Sequence, residues 1–363
     1  MTDDLGHMAH ALRLGRRRMG QCWPNPAVGC VIVKDGRVVG RGATASGGRP
    51  HAEPQALEMA GAAARGATAY VTLEPCSHHG KTPPCCEALV QAGIARVVAP
   101  LADSDARVSG QGFEYLRKHG VEVTTGVCAE EAARDHAGFF LKVEQGRPWV
   151  TLKLANSFDG RIATATGESQ WITGPEARAA VHGLRASHDA VMVGAGTARA
   201  DDPSLTVRGW GAVRQPVRVI VSRLIDVPLM SKLASTAREV PVWVVHGSDA
   251  ATMTRRAWES CGATLLQSEV RGGRIDPHAL LAALGRQGLT RVFCEGGGQL
   301  AASLLAADLV DELVGFTAGM ALGAEGRPGI GAMGVDRLSE APRFVLEEAR
   351  AVGADVMHRW RRA

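Results

Sequence analysis

Short apolar runs alternate with amphipathic stretches through the first 146 residues, a pattern typical of strands separated by helices. The predicted helices span residues 4–18, 51–64, 85–92, 111–119 and a final stretch that ends near 144. The predicted strands span residues 30–33, 38–41, 67–73, 95–99 and 121–125. Lys34-Asp35-Gly36-Arg37 lies between the first two strands, and its Asp-Gly pair predicts a tight hairpin.

A polar break at Gln145-Gly146-Arg147-Pro148 precedes a second series of apolar runs, so we place a domain boundary there. The two predicted domains are residues 1–146 and 147–363. Strand candidates in the second domain are residues 149–155, 190–193, 217–221, 240–245 and 291–294. Because helical stretches separate most of these strands, we expect an α/β fold with a largely parallel sheet in each half.

Charge and composition argue against a nucleic-acid-binding protein. The net charge is +4, and aromatic residues make up 4% of the chain, so neither the basic surface nor the aromatic platforms of such proteins are expected. The runs Arg16-Arg17-Arg18 and Arg359-Trp360-Arg361-Arg362 are local, and we interpret them as a solvated helix face or a frayed terminus. Steering of a phosphate is the alternative role for these arginines.

The sequence also suggests a compartment. It contains no run of eighteen apolar residues, and its first residues include acids and no apolar core of a signal peptide. We therefore expect a cytoplasmic protein that is not in a membrane. Eight cysteines in 363 residues are too sparse for a disulfide scaffold, so clustered cysteines indicate metal binding or catalysis.

Three potential metal ligands lie at junctions between predicted elements. His51-Ala52-Glu53 opens one helix, Cys76 follows a strand, and Cys85 opens the next helix. This order, H-x-E followed by P-C and a second cysteine, is the outline of the zinc-deaminase signature. Helix N-termini favour thiolate, and three protein ligands leave the fourth zinc position to water. We therefore expect a catalytic zinc on His51, Cys76 and Cys85, with Glu53 off the metal as proton shuttle.

The spacing leaves alternatives for the ligand set. Eight residues separate Cys76 from Cys85, whereas the usual signature has two. Cys86 is the alternative to Cys85, but successive helical residues point about 100° apart, so we expect Cys86 to face packing. His78 and His79 belong to a polar insert that we interpret as a loop near the mouth of the site. A purely structural zinc, with His78, His79 or Cys86 as fourth ligand, is the competing hypothesis.

The eight-residue spacing, the sequence S-H-H-G-K-T-P-P-C-C and the upstream P-N-P-A-V-G are specific features. With them, the first half resembles the deaminase domain of the bifunctional riboflavin-biosynthesis deaminase–reductase family, which implies a cytidine-deaminase-like α/β/α fold. The resemblance implies the same zinc ligands and proton shuttle, and adds Asn25 as a substrate contact. Two departures stand out. Gln55 replaces the usual histidine and cannot carry a proton, and Asp103-Ser104-Asp105-Ala106 replaces the family's D-P-N-P.

In the second half, the stretch from Arg291 to Leu305 is a strand that ends in Glu-Gly-Gly-Gly before a helix begins. Glycines let backbone N–H groups approach an anion, and a helix N-terminus favours negative charge. A cofactor phosphate or an ordinary tight turn both fit, here and at Gly194-Ala195-Gly196-Thr197. No G-x-G-x-x-G follows a strand as a dinucleotide fingerprint, so a Rossmann domain is disfavoured.

LKLANSFDGRIA, GESQWITG, VGAGTARADDPSLTVR and EGGGQLAASLL occur in that order in the second half, which resembles the reductase half of the same family. The resemblance implies a dihydrofolate-reductase-like α/β fold and NADPH. Phe158 and Gly298 are small departures from leucine and proline. The implied cofactor contacts are Ala155, Trp171, Thr197, Asp201, Ser222, Gly297, Gly298, Gln299, Leu300, Ala301, Ala302 and Ser303. The implied substrate contacts are Ser169, Arg185, Leu205, Arg208 and Glu295.

The polar groups of this half suit a reduction. Arg185 and Arg208 can bind a ribose phosphate bidentately, and Lys153, Asp201 and Glu295 can assist proton delivery as hydride reaches the ribose carbon. For the aspartate, a structural helix-ending turn is the alternative role.

The family resemblance implies a bifunctional enzyme. It would use zinc to deaminate 2,5-diamino-6-ribosylamino-4(3H)-pyrimidinone 5′-phosphate and NADPH to reduce the ribosyl group to ribityl. We expect a small phosphorylated pyrimidine as substrate, no nucleic acid or membrane partner, and a homo-oligomer. The competing hypotheses are a nucleic-acid-editing zinc deaminase with an accessory domain, a non-catalytic zinc protein, and a family member with one inactive half.

Overall fold

A computed structural model describes residues 3–80, 83–105, 109–211 and 213–363 of the chain. It divides the chain into two compact units, Met1–Gly146 and Arg147–Ala363. In the described residues, no helix combines the length and the apolar character needed to cross a membrane.

The first unit is a five-stranded sheet in the order β2-β1-β3-β4-β5. The strands are β1 (Gly29–Lys34), β2 (Arg37–Ala43), β3 (Thr68–Val71), β4 (Arg96–Ala99) and β5 (Glu122–Thr125). The helices are α1 (Asp4–Arg16), α2 (Ala52–Ala60), α3 (Cys85–Gln91), α4 (Gln111–Lys118) and α5 (Ala129–Gln145). Short 3₁₀ helices span Ser46–Gly48 and Gly61–Ala64.

The hairpin prediction is confirmed, whereas the expected largely parallel sheet is wrong for part of this unit. Asp35 and Gly36 both have positive φ, 48° and 73°, which is the backbone of a two-residue type I′ turn. This turn forces β2 to run antiparallel to β1, and β3 is also antiparallel to β1. Only β3, β4 and β5, which helices connect, are mutually parallel.

Both faces of this sheet are covered, because the side chains of β1 alternate between two hydrophobic clusters. Cys30 and Ile32 pack with α2 and α3 on one face. Val31 and Val33 pack with α1 on the other face, where the cluster includes Met8. A continuous apolar strand covered by helices on two sides follows from the period-2 geometry of a β-strand.

The second unit is built on a nine-stranded sheet in the order β11-β10-β9-β8-β14-β6-β15-β18-β17. Its strands are β6 (Trp149–Ser157), β8 (Ala190–Gly194), β9 (Val217–Val221), β10 (Val242–His246), β11 (Thr264–Gln267), β14 (Arg291–Gly296), β15 (Glu312–Ala318), β17 (Phe344–Val352) and β18 (Asp355–Arg362). Two small ribbons pair β7 (Arg161–Ala163) with β16 (Arg327–Pro328) and β12 (Val270–Arg271) with β13 (Arg274–Ile275).

The helices of this unit separate most of the parallel strands. They are α6 (Pro175–Ala186), α7 (Ala195–Asp201), α8 (Lys232–Ser235), α9 (Thr252–Ser260), α10 (Pro277–Arg286) and α11 (Gly298–Ala306), and a 3₁₀ turn spans Leu338–Glu340. Seven neighbouring strands of the sheet, β11, β10, β9, β8, β14, β6 and β15, are parallel to one another. The prediction of a largely parallel sheet is therefore confirmed here. The carboxyl ends of these strands share one edge of the sheet, where ligands of such sheets bind.

The C-terminal residues are a correction to the sequence prediction. Arg359-Trp360-Arg361-Arg362 is neither a helix face nor a frayed end, because it lies in β18, between β15 and β17. Its arginines are paired: Arg359 Nη1 lies 3.2 Å from a carboxylate oxygen of Glu312. The alternation of charged and apolar residues in β17 and β18 fits strands exposed on one face.

A buried polar network connects the first strand of this unit with its helices. His188 follows α6 and is 5% exposed. Its Nε2 lies 3.0 Å from the Thr151 hydroxyl, and its Nδ1 lies 2.7 Å from the Leu184 carbonyl oxygen. Burial lowers the pKa of His188 to about 3. The imidazole is therefore neutral in the folded protein at neutral pH.

His188 makes the stability of the second unit depend on pH. Since its folded pKa is depressed below the unfolded value, its stabilising contribution is complete above about pH 6.5 and declines as the pH falls toward 3. Relative to His188→Gln, the free energy of unfolding should fall by about 2 kcal/mol between pH 7 and pH 5. Tryptophan fluorescence during urea unfolding measures this, because most tryptophans lie beyond residue 146. Parallel pH profiles in both proteins would contradict it.

Candidate functional site

Three elements bring the predicted metal ligands together in the first unit. His51 is the residue before α2, with an extended backbone, and Cys85 is the first residue of α3. Cys76 lies in the loop after β3. Gln55 secures the start of α2, since its Nε2 donates to the His51 and Ala43 carbonyl oxygens at 2.8 and 2.6 Å. The glutamine that departs from the family pattern thus fixes the backbone at His51 and at the end of β2.

The distances between the three ligand atoms fit a tetrahedral zinc. His51 Nδ1 lies 3.6 Å from Cys76 Sγ and 3.4 Å from Cys85 Sγ. Zinc bonds of about 2.3 Å to sulfur and 2.1 Å to nitrogen would place these atoms about 3.6 Å apart. Within the described parts of the chain, the cluster of potential ligands has these three members. Three ligands are the number that a catalytic zinc takes from the protein.

The two sulfurs of the cluster differ in charge. The hydrogen bond from the Cys85 thiol, followed by that from His51, lowers the pKa of Cys76 to about 4. The same contact with Cys76, together with burial, raises the pKa of Cys85. Coordination through both sulfurs would therefore release the Cys85 proton.

Glu53 is the second residue of α2 and is 3% exposed. Its carboxyl group hydrogen-bonds with the Cys85 side chain, and burial raises its pKa. With His51 and Cys76, it lines a cavity of about 400 Å³. A carboxyl group beside the ligand atoms, facing a cavity of this size, can transfer protons between a bound water and a small substrate.

Asn25 lines the same cavity and also contacts a metal ligand. Its Nδ2 lies 3.3 Å from His51 Nε2 and donates to the Gly48 carbonyl oxygen at 2.9 Å. The predicted substrate contact is therefore also a neighbour of the imidazole that positions the zinc.

The remaining residues of the polar insert take different places. His78 lines the cavity, whereas His79 is exposed and lies 3.1 Å from Glu87. Cys86 is 1% exposed and packs in the hydrophobic cluster with α2, as the helix geometry predicted. Lys81 and Ala106 lie outside the described residues.

Sequence reasoning missed Glu74, which follows β3 and is 3% exposed. Its carboxylate accepts four backbone N–H groups at 2.9–3.2 Å: Asp103, Gly110, Gly112 and Phe113. These bonds fix the loop with Asp103, which lines the cavity, and the start of α4. The signal in the sequence was an acidic residue at the end of an apolar predicted strand, two residues before a predicted metal ligand. A carboxylate that is buried at such a place requires hydrogen-bond donors.

The second unit has a cavity of about 490 Å³ at the carboxyl ends of β6, β8 and β14. The predicted site residues that line it are Lys153, Ala155, Ser169, Trp171, Arg185, Thr197, Asp201, Leu205, Arg208, Glu295 and Gly297. Ala301 and Ala302 are buried inside α11, and the Ser222 hydroxyl donates to Asp226 at 2.5 Å. Those three side chains lie outside the cavity lining, as do the other predicted residues of α11.

One carboxylate organises the charges of this cavity. Arg185 donates to both oxygens of Glu295, and Lys153 Nζ lies 3.9 Å from it. Although burial opposes this, the Arg185 charge and hydrogen bond lower the pKa of Glu295. Burial lowers the pKa of Lys153 and raises that of Asp201. Since Glu295 already occupies the guanidinium fork of Arg185, Arg208 is the freer of the two predicted phosphate ligands.

The glycine-rich turn between β14 and α11 fits a phosphate-bearing cofactor. Gly296 and Gly297 have positive φ, 76° and 94°. A Cβ on Gly297 would lie 2.8 Å from Thr197 Oγ1, so a side chain would fill the space before the helix. Trp171 is exposed beside this cavity and lies under the Arg178 guanidinium, whose carbon is 4.5 Å from its ring centre. These features form a cradle for an anion next to an exposed ring.

Comparisons with known proteins match a different family model to each part of the chain. Residues 1–101 match the cytidine and deoxycytidylate deaminase zinc-binding region, and residues 148–358 match the RibD C-terminal domain. The chain is 43% identical to the riboflavin biosynthesis protein RibD of Escherichia coli, over 98% of each chain.

Two solved structures are similar over 99% of each chain. Acinetobacter baumannii RibD has a TM-score of 0.89 at 37% identity. The diaminohydroxyphosphoribosylaminopyrimidine deaminase/5-amino-6-(5-phosphoribosylamino)uracil reductase of Thermotoga maritima has a TM-score of 0.87 at 33% identity. The two folds expected from the sequence, cytidine-deaminase-like and dihydrofolate-reductase-like, are confirmed.

The neighbouring cysteines provide a test of the ligand set. Cys85→Ser should weaken zinc binding by at least about tenfold, because serine is a poor replacement for thiolate. Cys86→Ala should retain about one zinc per chain, since that sulfur lies in packing. Metal analysis of both purified proteins, with a chelator titration for affinity, measures the difference. Equal zinc loss in the two variants would refute the assignment.

Proposed function

The chain belongs to the RibD family of riboflavin-biosynthesis proteins, and on that premise we propose which of its residues perform the family's two reactions. It is a bifunctional enzyme, a zinc-dependent deaminase and an NADPH-dependent reductase. We assign the deaminase to residues 1–146 and the reductase to residues 147–363. The observation that carries this proposal is the three-ligand cluster with zinc spacing, next to the Glu53 carboxyl group in one cavity.

The first reaction removes the exocyclic amine of 2,5-diamino-6-ribosylamino-4(3H)-pyrimidinone 5′-phosphate as ammonia. His51, Cys76 and Cys85 would hold the zinc, which would supply a water whose pKa is near neutral. Glu53 would pass the first proton of the water to the ring nitrogen and the second to the amine, which leaves as ammonia while the oxygen stays on the ring carbon as a carbonyl. The burial of Glu53 excludes bulk water from these transfers.

Recognition of the pyrimidine rests on the polar lining of the cavity. Asn25 lies between two prolines, which restrict its backbone, and its amide can donate to and accept from the edge of a heterocycle. Its amide nitrogen lies 3.3 Å from His51 Nε2, which supports a pyrimidine position beside the zinc ligands. Glu74 supports another part of the lining, because its carboxylate accepts from the Asp103 N–H.

The second reaction adds hydride to the ribosyl carbon and a proton to the ring oxygen that leaves it. Lys153 lines the cavity and its Nζ lies 3.9 Å from Glu295, which supports a role for its ammonium as the donor of this proton. Glu295 pairs with Arg185 and lies beside Lys153. Asp201 is close enough to Lys153 for the positive charge of the lysine to act on its carboxyl group. We assign substrate contacts to Ser169, Arg185, Leu205, Arg208 and Glu295, with the exposed Arg208 guanidinium on the phosphate.

NADPH supplies the hydride, and the turn from Gly297 into α11 would hold its phosphates. Backbone N–H groups of the first turn of α11 suit this role, because the side chains of Ala301 and Ala302 are turned into the core. Thr197, Ala155 and Trp171 line the cavity beside the turn and would contact the rest of the cofactor. Ser222 follows β9 at the same sheet edge.

Location and assembly follow from the same properties. A zinc cluster with two free thiols suits the reducing cytoplasm, which supports that location. The near-neutral charge supports a small-molecule partner rather than nucleic acid. The exposed apolar residues Val345 and Leu346 on the edge strand β17 support a homo-oligomer.

Glu53→Gln separates catalysis from zinc binding. The variant keeps the shape of the side chain but cannot transfer protons, so ammonia release should fall at least about a hundredfold. Zinc content should stay unchanged, because Glu53 is not in the ligand cluster. Loss of zinc together with activity, or full activity, would contradict the assigned role.

Both halves can be tested in one enzyme. The diaminopyrimidine phosphate is supplied with and without NADPH, and ammonia and NADPH oxidation are followed separately. Ammonia should appear in both cases, and NADPH oxidation should follow deamination. Ammonia without NADPH oxidation would reveal an inactive reductase, and silence in both assays would refute the proposed function.

A further inference from the structure

A short irregular segment carries part of the proposed substrate site of the reductase. Leu205–Arg208, here named the substrate arm, lies between α7 and β9 and outside the helices and strands. Leu205 and Arg208 line the cavity, and Leu205 has a positive φ of 53°. A segment without ladder hydrogen bonds needs other partners for its backbone groups.

Gln215 supplies two of these partners. Its Oε1 accepts the Val207 N–H at 2.7 Å, and its Nε2 donates to the Val207 carbonyl oxygen at 3.1 Å. One side-chain amide thus satisfies both polar groups of one residue, as a neighbouring strand would. The Val207 side chain is buried, so the middle of the arm is fixed on both sides.

Two residues of α6 hold the ends of the same peptide segment. Arg185 Nη1 donates to the Thr206 carbonyl oxygen at 2.9 Å. The Arg208 N–H donates to His182 Nδ1 at 3.2 Å. His182 and Arg185 lie three residues apart on one face of the helix, and both line the cavity.

The charge state of His182 suits this contact. Burial, followed by the charges of Arg185 and Arg208, lowers its pKa, which favours the uncharged imidazole. His182 Nδ1 also lies 3.1 Å from the Thr206 carbonyl oxygen, so the ring contacts the arm on both sides of Val207. With its proton on Nε2 the ring accepts from the Arg208 amide, and with its proton on Nδ1 it donates to Thr206.

The residue between these two contacts explains how the arm reaches the helix. Gly183 faces Trp210, and a Cβ there would lie 2.5 Å from Trp210 Cζ2. The indole therefore packs directly on the α6 backbone just beyond the arm. The arm is therefore hydrogen-bonded both to side chains of α6 and to Gln215.

We propose that His182 and Gln215 are positioning residues of the reductase, which fix the substrate arm so that the Arg208 guanidinium meets the substrate phosphate. The proposal rests on the proposed role of Arg208. Neither residue needs to touch the reacting atoms. They hold the arm in place before the substrate binds. The entropic cost of ordering this segment around the phosphate is therefore lower when the substrate binds.

Matched variants separate the contacts from general packing. Gln215→Met and His182→Leu remove the hydrogen bonds at similar size. His182→Asn retains an acceptor near the position of Nδ1, and Gln287→Met changes an exposed glutamine far along the chain as the control. The substrate is 5-amino-6-(5-phosphoribosylamino)uracil, produced by the deaminase reaction.

Gln215→Met and His182→Leu should raise the reductase KM for this substrate about tenfold, a change of about 1.4 kcal/mol, with kcat within about twofold. The dissociation constant of NADPH, measured by fluorescence, and the rate of ammonia release should stay as in the parent. His182→Asn should recover most of the loss, and Gln287→Met should show none.

Arg208→Ala distinguishes the two proposals. If it leaves KM unchanged, the role of Arg208 in the proposed function fails. If it raises KM while Gln215→Met and His182→Leu do not, the positioning proposal alone is overturned. Gln215→Met should add little to Arg208→Ala, because both act through one guanidinium. Full additivity, or parallel loss of NADPH affinity and kcat, would also overturn the positioning proposal.

Discussion

The deaminase half depends on the convergence of three ligand atoms that separate elements supply. Two helix starts and one loop after a strand must meet with all ligand atoms within 4.8 Å of one another. That requirement explains two polar side chains around the cluster, because each one fixes a backbone segment. Gln55 ties the His51 carbonyl to the end of β2, and Glu74 ties the loop before Cys76 to the start of α4.

The reductase half meets a different constraint, the control of charge in a cavity that must receive an anion. A carboxylate from the end of β14 lies between an arginine and a lysine, so the cavity contains cations without strong repulsion between them. As a consequence, the guanidinium of Arg185 is hydrogen-bonded to both oxygens of Glu295 and is less available to a phosphate. An exposed arginine on an irregular segment is then left for the phosphate, and side chains of Gln215 and His182 hold that segment.

The local signals in the sequence were sufficient wherever chemistry and short-range geometry coincide. The Asp-Gly turn, the starts of α2 and α3 and the packing of Cys86 in the hydrophobic cluster follow from one or two residues and the geometry of a turn or helix. The antiparallel place of β3 beside β1 does not, because pairing between distant strands depends on contacts across the whole sheet.

The same limit applies to side chains that act on distant backbone. The sequence around Arg359 reads as a charged tail, and only its neighbours in the sheet make it a strand. Glu74 and Gln215 are ordinary polar residues until the loops that they hold are known. His182 lies three residues before Arg185 in a helix, so helical periodicity could have predicted that both side chains face the same site.

The separation of the two sets of site residues into two compact units has a genetic consequence. No residue assigned to the deaminase is also assigned to the reductase, and each set lies within one unit. Alleles that are defective in opposite units should therefore complement each other in one cell. The product of the first reaction, released by one polypeptide, is a substrate for the intact second unit of the other.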